Sequence, residues 1–134
     1  MNYLDKFTNH LEFLGYEIEN KKSEDGTMEY ANATHNTLDS LMIFPDEANK
    51  IVYLRSLTSF DKKITSAMYE YLDEVNGQYS VLRSYIDEGN STLCRETHFT
   101  GDYDKKVFNK FFELVRNDWQ IFHMQKDFEE IWIK

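Results

Sequence analysis

Cysteine is almost missing from this chain. A lone Cys94 excludes any internal disulfide and fits a reducing compartment. Proline is as scarce, with only Pro45, which the sequence places in a break between two strands. The five glycines (15, 26, 77, 89 and 101) each fall where the apolar pattern changes, as turn and cap residues do. No apolar run approaches the roughly 18 residues of a membrane span. Met1–Lys6 lacks the basic region and apolar run of a signal peptide. The expectation is a cytoplasmic protein with no membrane partner.

Positive charge is also short. Fifteen Lys and Arg against 24 Asp and Glu give a net charge of −9. That balance disfavours nucleic acid, whose phosphates need a basic surface. Recognisable chemistry is missing too. There is no P-loop, no GxGxxG and no nucleophile elbow. His10, His35, His98 and His123 have no ligand spacing with one another or with Cys94. Cys94 and His98 share a strand face but stand about 13 Å apart along it, too far for a dyad. The carboxylate pairs Asp46-Glu47, Asp73-Glu74, Asp87-Glu88 and Glu129-Glu130 lie at turns or helix ends and read as solvated surface. No catalytic residue, cofactor or metal is expected, and the chain does not read as an enzyme.

What is there is apolar and aromatic. Hydrophobic residues make up 41% of the 134, and aromatics 16%. That excludes disorder and supplies the core of one domain, residues 1–134. The richest stretch is the last third. Phe108, Phe111, Phe112, Val115, Trp119 and Phe122 follow a helical period and predict one buried face, with Asp102 as N-cap. Burying six such side chains contributes roughly 10–15 kcal/mol gross, as an upper bound. Lys105, Lys106, Lys110, Glu113 and Arg116 fall on the opposite side.

Before that helix, Tyr79–Asp87 and Ser91–Phe99 predict an antiparallel hairpin, with Gly89 or Asn90 at positive φ. Earlier, Leu4, Phe7, Leu11 and Leu14 mark a first helix that Gly15 ends. Tyr16–Glu19 and Met28–Asn32 alternate as half-buried strands, and two apolar runs, Leu41–Phe44 and Ile51–Leu54, read as central strands. Ser59–Asn76 is a second helix, capped by Asp61 and ended by Gly77. The order α-β-β-β-β-α-β-β-α predicts an α+β fold with an antiparallel sheet of about six strands packed by helices. Phe128, Ile131 and Trp132 give the final segment an apolar side, the expected means of docking onto the chain itself or onto a partner.

Leu72–Leu82 closes a helix at Asn76 and enters a strand that runs to the turn Asp87-Glu88-Gly89. With the entry Phe13-Leu14-Gly15-Tyr16 and the long last helix, roughly residues 3–125 resemble the YbjN family. That resemblance implies a fold like the type III secretion chaperones, a curved antiparallel sheet with helices packed on it. It implies a regulator or adaptor without established catalysis, binding another protein and sometimes dimeric. It carries no functional residues over. The leading expectation is a non-enzymatic, chaperone-like or regulatory adaptor that binds a protein partner, with Phe128, Ile131 and Trp132 as candidate contacts and a homodimer possible. The alternatives are an acidic immunity or inhibitor protein that neutralises a basic toxin, and a small ligand-binding module.

Overall fold

A computed structural model describes residues 1–134. Helix α1 (Tyr3–Phe13) is followed by strands β1 (Glu17–Lys22), β2 (Glu29–Thr34), β3 (Leu41–Asp46) and β4 (Ile51–Ser59). Then come α2 (Ser66–Gln78), β5 (Arg83–Asp87), β6 (Thr92–Thr100), α3 (Lys105–Met124) and a π-helical turn, Glu129–Ile133. All six strands join one antiparallel sheet in the order β1-β2-β3-β4-β6-β5. The fold is the α+β arrangement that the element order implies.

The α3 stripe is the keel of the core. Phe108, Phe112, Val115, Trp119 and Phe122 are buried, while Phe111 is half-buried with its ring edge against Phe99 at 5.3 Å. Through them α3 spans two apolar clusters. The larger joins Tyr3, Leu4, Phe7 and Leu11 of α1 to Ala31, Ile43, Val52, Leu54 and Phe99 of the sheet. The smaller joins Met68, Tyr71, Leu72 and Val75 of α2 to Leu93, Phe122 and Trp132. The strand residues in both clusters point to one face of the sheet, because side chains alternate along a strand.

Gly15 ends α1 with φ +100°, and an added Cβ would stand 3.0 Å from Nε2 of His35. Only glycine fits that backbone and that gap together.

Several local boundaries differ from the sequence reading. The α3 cap is Asp104, whose carboxylate accepts the Val107 N–H at 3.0 Å; Asp102 lies a step too early to reach. Helix α2 starts at Ser66 under a Thr65 cap, so Asp61 caps nothing and Phe60–Ile64 runs ahead of the helix. Gly77 sits inside α2, which ends where Tyr79 turns extended. In the β5–β6 turn the left-handed residue is Ser91, with φ 46°, and Glu88–Asn90 forms a 3₁₀ turn before it. Pro45 lies within β3, opposite Val52. The β2 ladder stops at Ile43, so proline's missing N–H falls where that side of β3 has no partner strand. Tyr79–Leu82 is not strand at all, for a reason that lies on α3.

That reason is Asp118. Its side chain is fully buried within the apolar stripe, three residues after Val115. Its Oδ1 accepts the Ser80 N–H at 2.9 Å. Its Oδ2 accepts Ser80, Val81 and Leu82 at 3.0, 2.8 and 2.9 Å. One carboxylate takes the hydrogen bonds a neighbouring strand would have taken, and the chain is pinned to α3 before it enters β5.

Candidate functional site

With the helices on one face, the other face of the sheet is left open. Strand register shows what it displays. Phe44 lies opposite Tyr53, and Met42 opposite Arg55. Tyr53 lies opposite His98, Arg55 opposite Glu96, and Leu57 opposite Cys94. Arg83 then lies opposite Glu96, and Tyr85 opposite Cys94. Their neighbours in sequence, Val52, Leu54, Leu93 and Phe99, are buried, and of these open-face residues only Cys94 is buried as well. The open face is therefore the other half of the same alternation.

It is apolar for a surface. Met28, Tyr53 and Leu57 are 49%, 42% and 45% exposed, and Tyr30, Met42, Phe44 and Tyr85 are half-buried. Tyr30 and Phe44 stack with centroids 5.2 Å apart. Met28, Phe44, Tyr53 and Tyr85, together with Pro45, Val81, Arg83 and His98, border an open hollow of about 970 Å³.

A polar knot lies at its floor. Arg55 Nε sits 3.5 Å from Glu96 Oε2. Arg55 Nη2 donates to the Tyr85 hydroxyl at 3.3 Å, and that hydroxyl donates to Glu96 Oε2 at 3.2 Å. Arg83 rests over the Tyr85 ring, 5.0 Å from its centroid. Burial pushes the Tyr85 phenol above its ordinary value, and the nearby Cys94 and Glu96 add to the effect. Tyr85 thus stays a neutral donor that links Arg55 to Glu96 at the floor of the hollow. The knot contains no nucleophile aligned with a base, and no His, Cys, Asp and Glu cluster of three or more comes together anywhere in the chain. Buried Cys94 adds one free thiol beneath the knot.

The tail residues stand elsewhere, on the helix-covered side. Trp132 is 8% exposed, with its ring 5.8 Å from Tyr71, 5.7 Å from Phe122 and 5.9 Å from Phe60. Phe128 and Ile131 are half-buried against the same cluster. Lys62 Nζ donates to the Glu130 carbonyl at 2.8 Å and ties the tail down. Phe128, Trp132 and exposed Ile133 border a smaller cleft of about 320 Å³. Arg95 also borders it, 4% exposed, with Nη1 2.8 Å from Asp39 Oδ2. Burial works to raise the Asp39 pKa, but hydrogen bonding to His123 and the Arg95 charge outweigh it and hold the carboxyl below its ordinary value.

The sequence reading did not single out Tyr53, Arg55, Tyr85 or Glu96. The signal was period two: on β4 they are the residues between Val52, Leu54 and Ser56. The unbroken apolar look of Ile51–Leu54 hid it.

No family model matches the sequence, and no curated protein does. The comparison with solved structures decides the fold. YbjN from E. coli superposes with a TM-score of 0.68 over 98% of this chain and 96% of that one, at 9% identity. The chain has a YbjN-like fold. The HopA1–SchA chaperone–effector complex matches with a TM-score of 0.53, over 90% of this chain and 91% of that one, at 14% identity. The chain is thus similar in fold both to YbjN and to a chain of a chaperone–effector complex. At these identities the likeness is one of fold alone. No helix of the chain is long and apolar enough to cross a membrane.

Proposed function

We propose that this protein is a non-enzymatic, chaperone-like adaptor that holds a segment of another protein on the open face of its sheet. The observation that carries the reading is the asymmetry of the sheet. One face is closed by three helices, while the other keeps Met28 and Tyr53 in solvent around a hollow of about 970 Å³, and Leu57 exposed beside it on β4. A contiguous apolar surface of that kind is a contact surface in waiting. The hollow is open and sheet-based, which fits an extended segment better than a small molecule, whose sites are concave and enclosed. The matching partner carries aromatic or aliphatic anchors to set among Phe44, Tyr53 and Tyr85. It also has basic character, attracted by the net charge of −9. Phe128, Ile131 and Trp132 are a second candidate contact: Phe128 and Trp132 line the 320 Å³ cleft, although Trp132 is already engaged in the core.

The test is a paired affinity capture from the native host, read by mass spectrometry. Wild type, Tyr53→Asp and Val107→Asp are used as baits; Val107 is 56% exposed on α3, away from the sheet. One stoichiometric partner kept by wild type and Val107→Asp, and lost by Tyr53→Asp, supports the reading. A partner indifferent to Tyr53→Asp, or none at all, counts against it.

A further inference from the structure

The cleft beside the tail holds two buried donors that nothing in the chain accepts from. Arg95 lies on β6, 4% exposed, and Asp39 and His123 both engage its Nη1, at 2.8 and 3.5 Å. Its Nε, turned away from Nη1 on the guanidinium, is buried without a partner. Trp132, 8% exposed, has its indole Nε1 in the same state. Both residues border the cleft of about 320 Å³. A buried donor left unpaired is costly, so an acceptor placed between these two would stabilise the fold as it binds.

The lining selects the acceptor. Both orphans are N–H donors. A water molecule would satisfy them and bring two hydrogens of its own to place; a carboxylate accepts at both oxygens and brings none. Arg95 presents a planar fork, the shape that pairs with a carboxylate. Lys62 stands at the rim, its Nζ on the Glu130 carbonyl at 2.8 Å and in no ion pair. The one acid on the lining, Asp61, is exposed, and Asp39 is taken up by Arg95 and His123. The walls are aromatic: Phe60, Phe122, Phe128 and Trp132. A bare inorganic anion would leave them unfilled, and the volume is at the small end of ligand sites.

We propose that this cleft binds a small monocarboxylate with an aromatic or compact aliphatic body. The carboxylate lies toward Arg95 Nε and Trp132 Nε1, and the body among Phe60, Phe122 and Phe128. Both nitrogens are closed to water in the free chain, so the Glu129–Ile133 turn shifts outward to admit the ligand. That turn follows a left-handed Asp127 with φ 68°, and is fastened by the packing of Trp132 and the hydrogen bond from Lys62. The inference is independent of the open-face reading, because the cleft lies on the helix-covered side of the sheet.

Nitrogen-15 NMR tests it, since the Arg95 Nε–H and the Trp132 indole N–H each give a signal of their own. Arg95→Lys and Trp132→Phe assign them. Phenylacetate is the probe; with about ten non-hydrogen atoms it is expected to bind with a Kd on the order of 1 mM or tighter. Titrated to about 10 mM, it should shift both signals together and saturably. Phenylacetamide, with the same ring and no charge, should bind about tenfold more weakly, and so should inorganic phosphate, which has no ring. Lys62→Gln keeps a donor for the Glu130 carbonyl but loses the charge, and should weaken phenylacetate roughly two- to fivefold. Val107→Asp, elsewhere on α3, should leave it unchanged. Signals that stay still throughout the titration, as a trapped water would leave them, overturn the proposal. So does an equal response to phenylacetamide, or a stronger response to phosphate than to phenylacetate.

Discussion

Asp118 Oδ2 accepts the Leu82 N–H at 2.9 Å. A carboxylate in the middle of α3 thus holds the backbone that leads into β5, and with it the Val81–Arg83 rim of the open hollow. Removing Asp118 leaves the buried Leu82 N–H, and the part-buried Ser80 and Val81 N–H groups, without their acceptor. Asp118→Ala is expected to cost about 3 kcal/mol, and Asp118→Asn nearly as much, since an amide turns donors toward donors. Urea unfolding measures both. A loss below about 1 kcal/mol would show that Ser80–Leu82 finds other acceptors.

The element order and the aromatic keel were legible in the sequence because period and alternation are local signals. Phe108, Phe112, Val115, Trp119 and Phe122 needed only a helical count. Asp118 was not read, although it left a mark: an acid on the apolar side, between Val115 and Trp119. Its partners, Ser80–Leu82, lie 36 to 38 residues away, and no local pattern joins them. The same distance problem misplaced the ends of α2 and the start of β5. Cap choice was missed for a smaller reason. Asp102 and Asp104 are alike in kind, and only the geometry of the Val107 N–H separates them. The open face was half-visible, since the alternation that finds the core also names its complement.

At the β5 edge the Asn76 side chain imitates a strand: its Oδ1 accepts the Ser84 N–H at 2.8 Å, and its Nδ2 donates to the Ser84 carbonyl at 2.9 Å. Asn76→Ala strips that mock strand from β5. It is expected to cost about 2 kcal/mol, because two hydrogen bonds to Ser84 are lost. It also bares an edge, so aggregation on warming should rise, as light scattering would show. Unchanged stability and scattering would mean that α2 alone protects that edge.

The tail folds back on its own chain, and single changes should report it. Trp132→Ala opens a void among Phe60, Tyr71 and Phe122 and is expected to cost about 3 kcal/mol. Ile133→Ala, 66% exposed, should stay within about 0.5 kcal/mol. Equal effects from the two would place Trp132 outside the core in solution.

His10 sets a pH dependence. It is 6% exposed, with Nδ1 2.7 Å from the Tyr103 hydroxyl, and burial pushes its pKa below the ordinary value. The folded state therefore binds a proton less readily than the unfolded chain. The stability this confers is whole above about pH 6.5 and drains away as the pH falls toward the lower, folded value. Unfolding free energy measured from pH 7.5 to 5 should decline, and His10→Asn should flatten the decline. An equal slope in both proteins would remove His10 as the cause.

The central claim is that the open face of the sheet, and not the helix-covered side, meets another protein. A photo-crosslinking residue placed at Tyr53, and separately at Glu113 on the outer side of α3, tests it inside the native host. The account predicts one discrete crosslinked partner from position 53 and none from position 113. Crosslinks from position 113 alone, or from neither position, would contradict it.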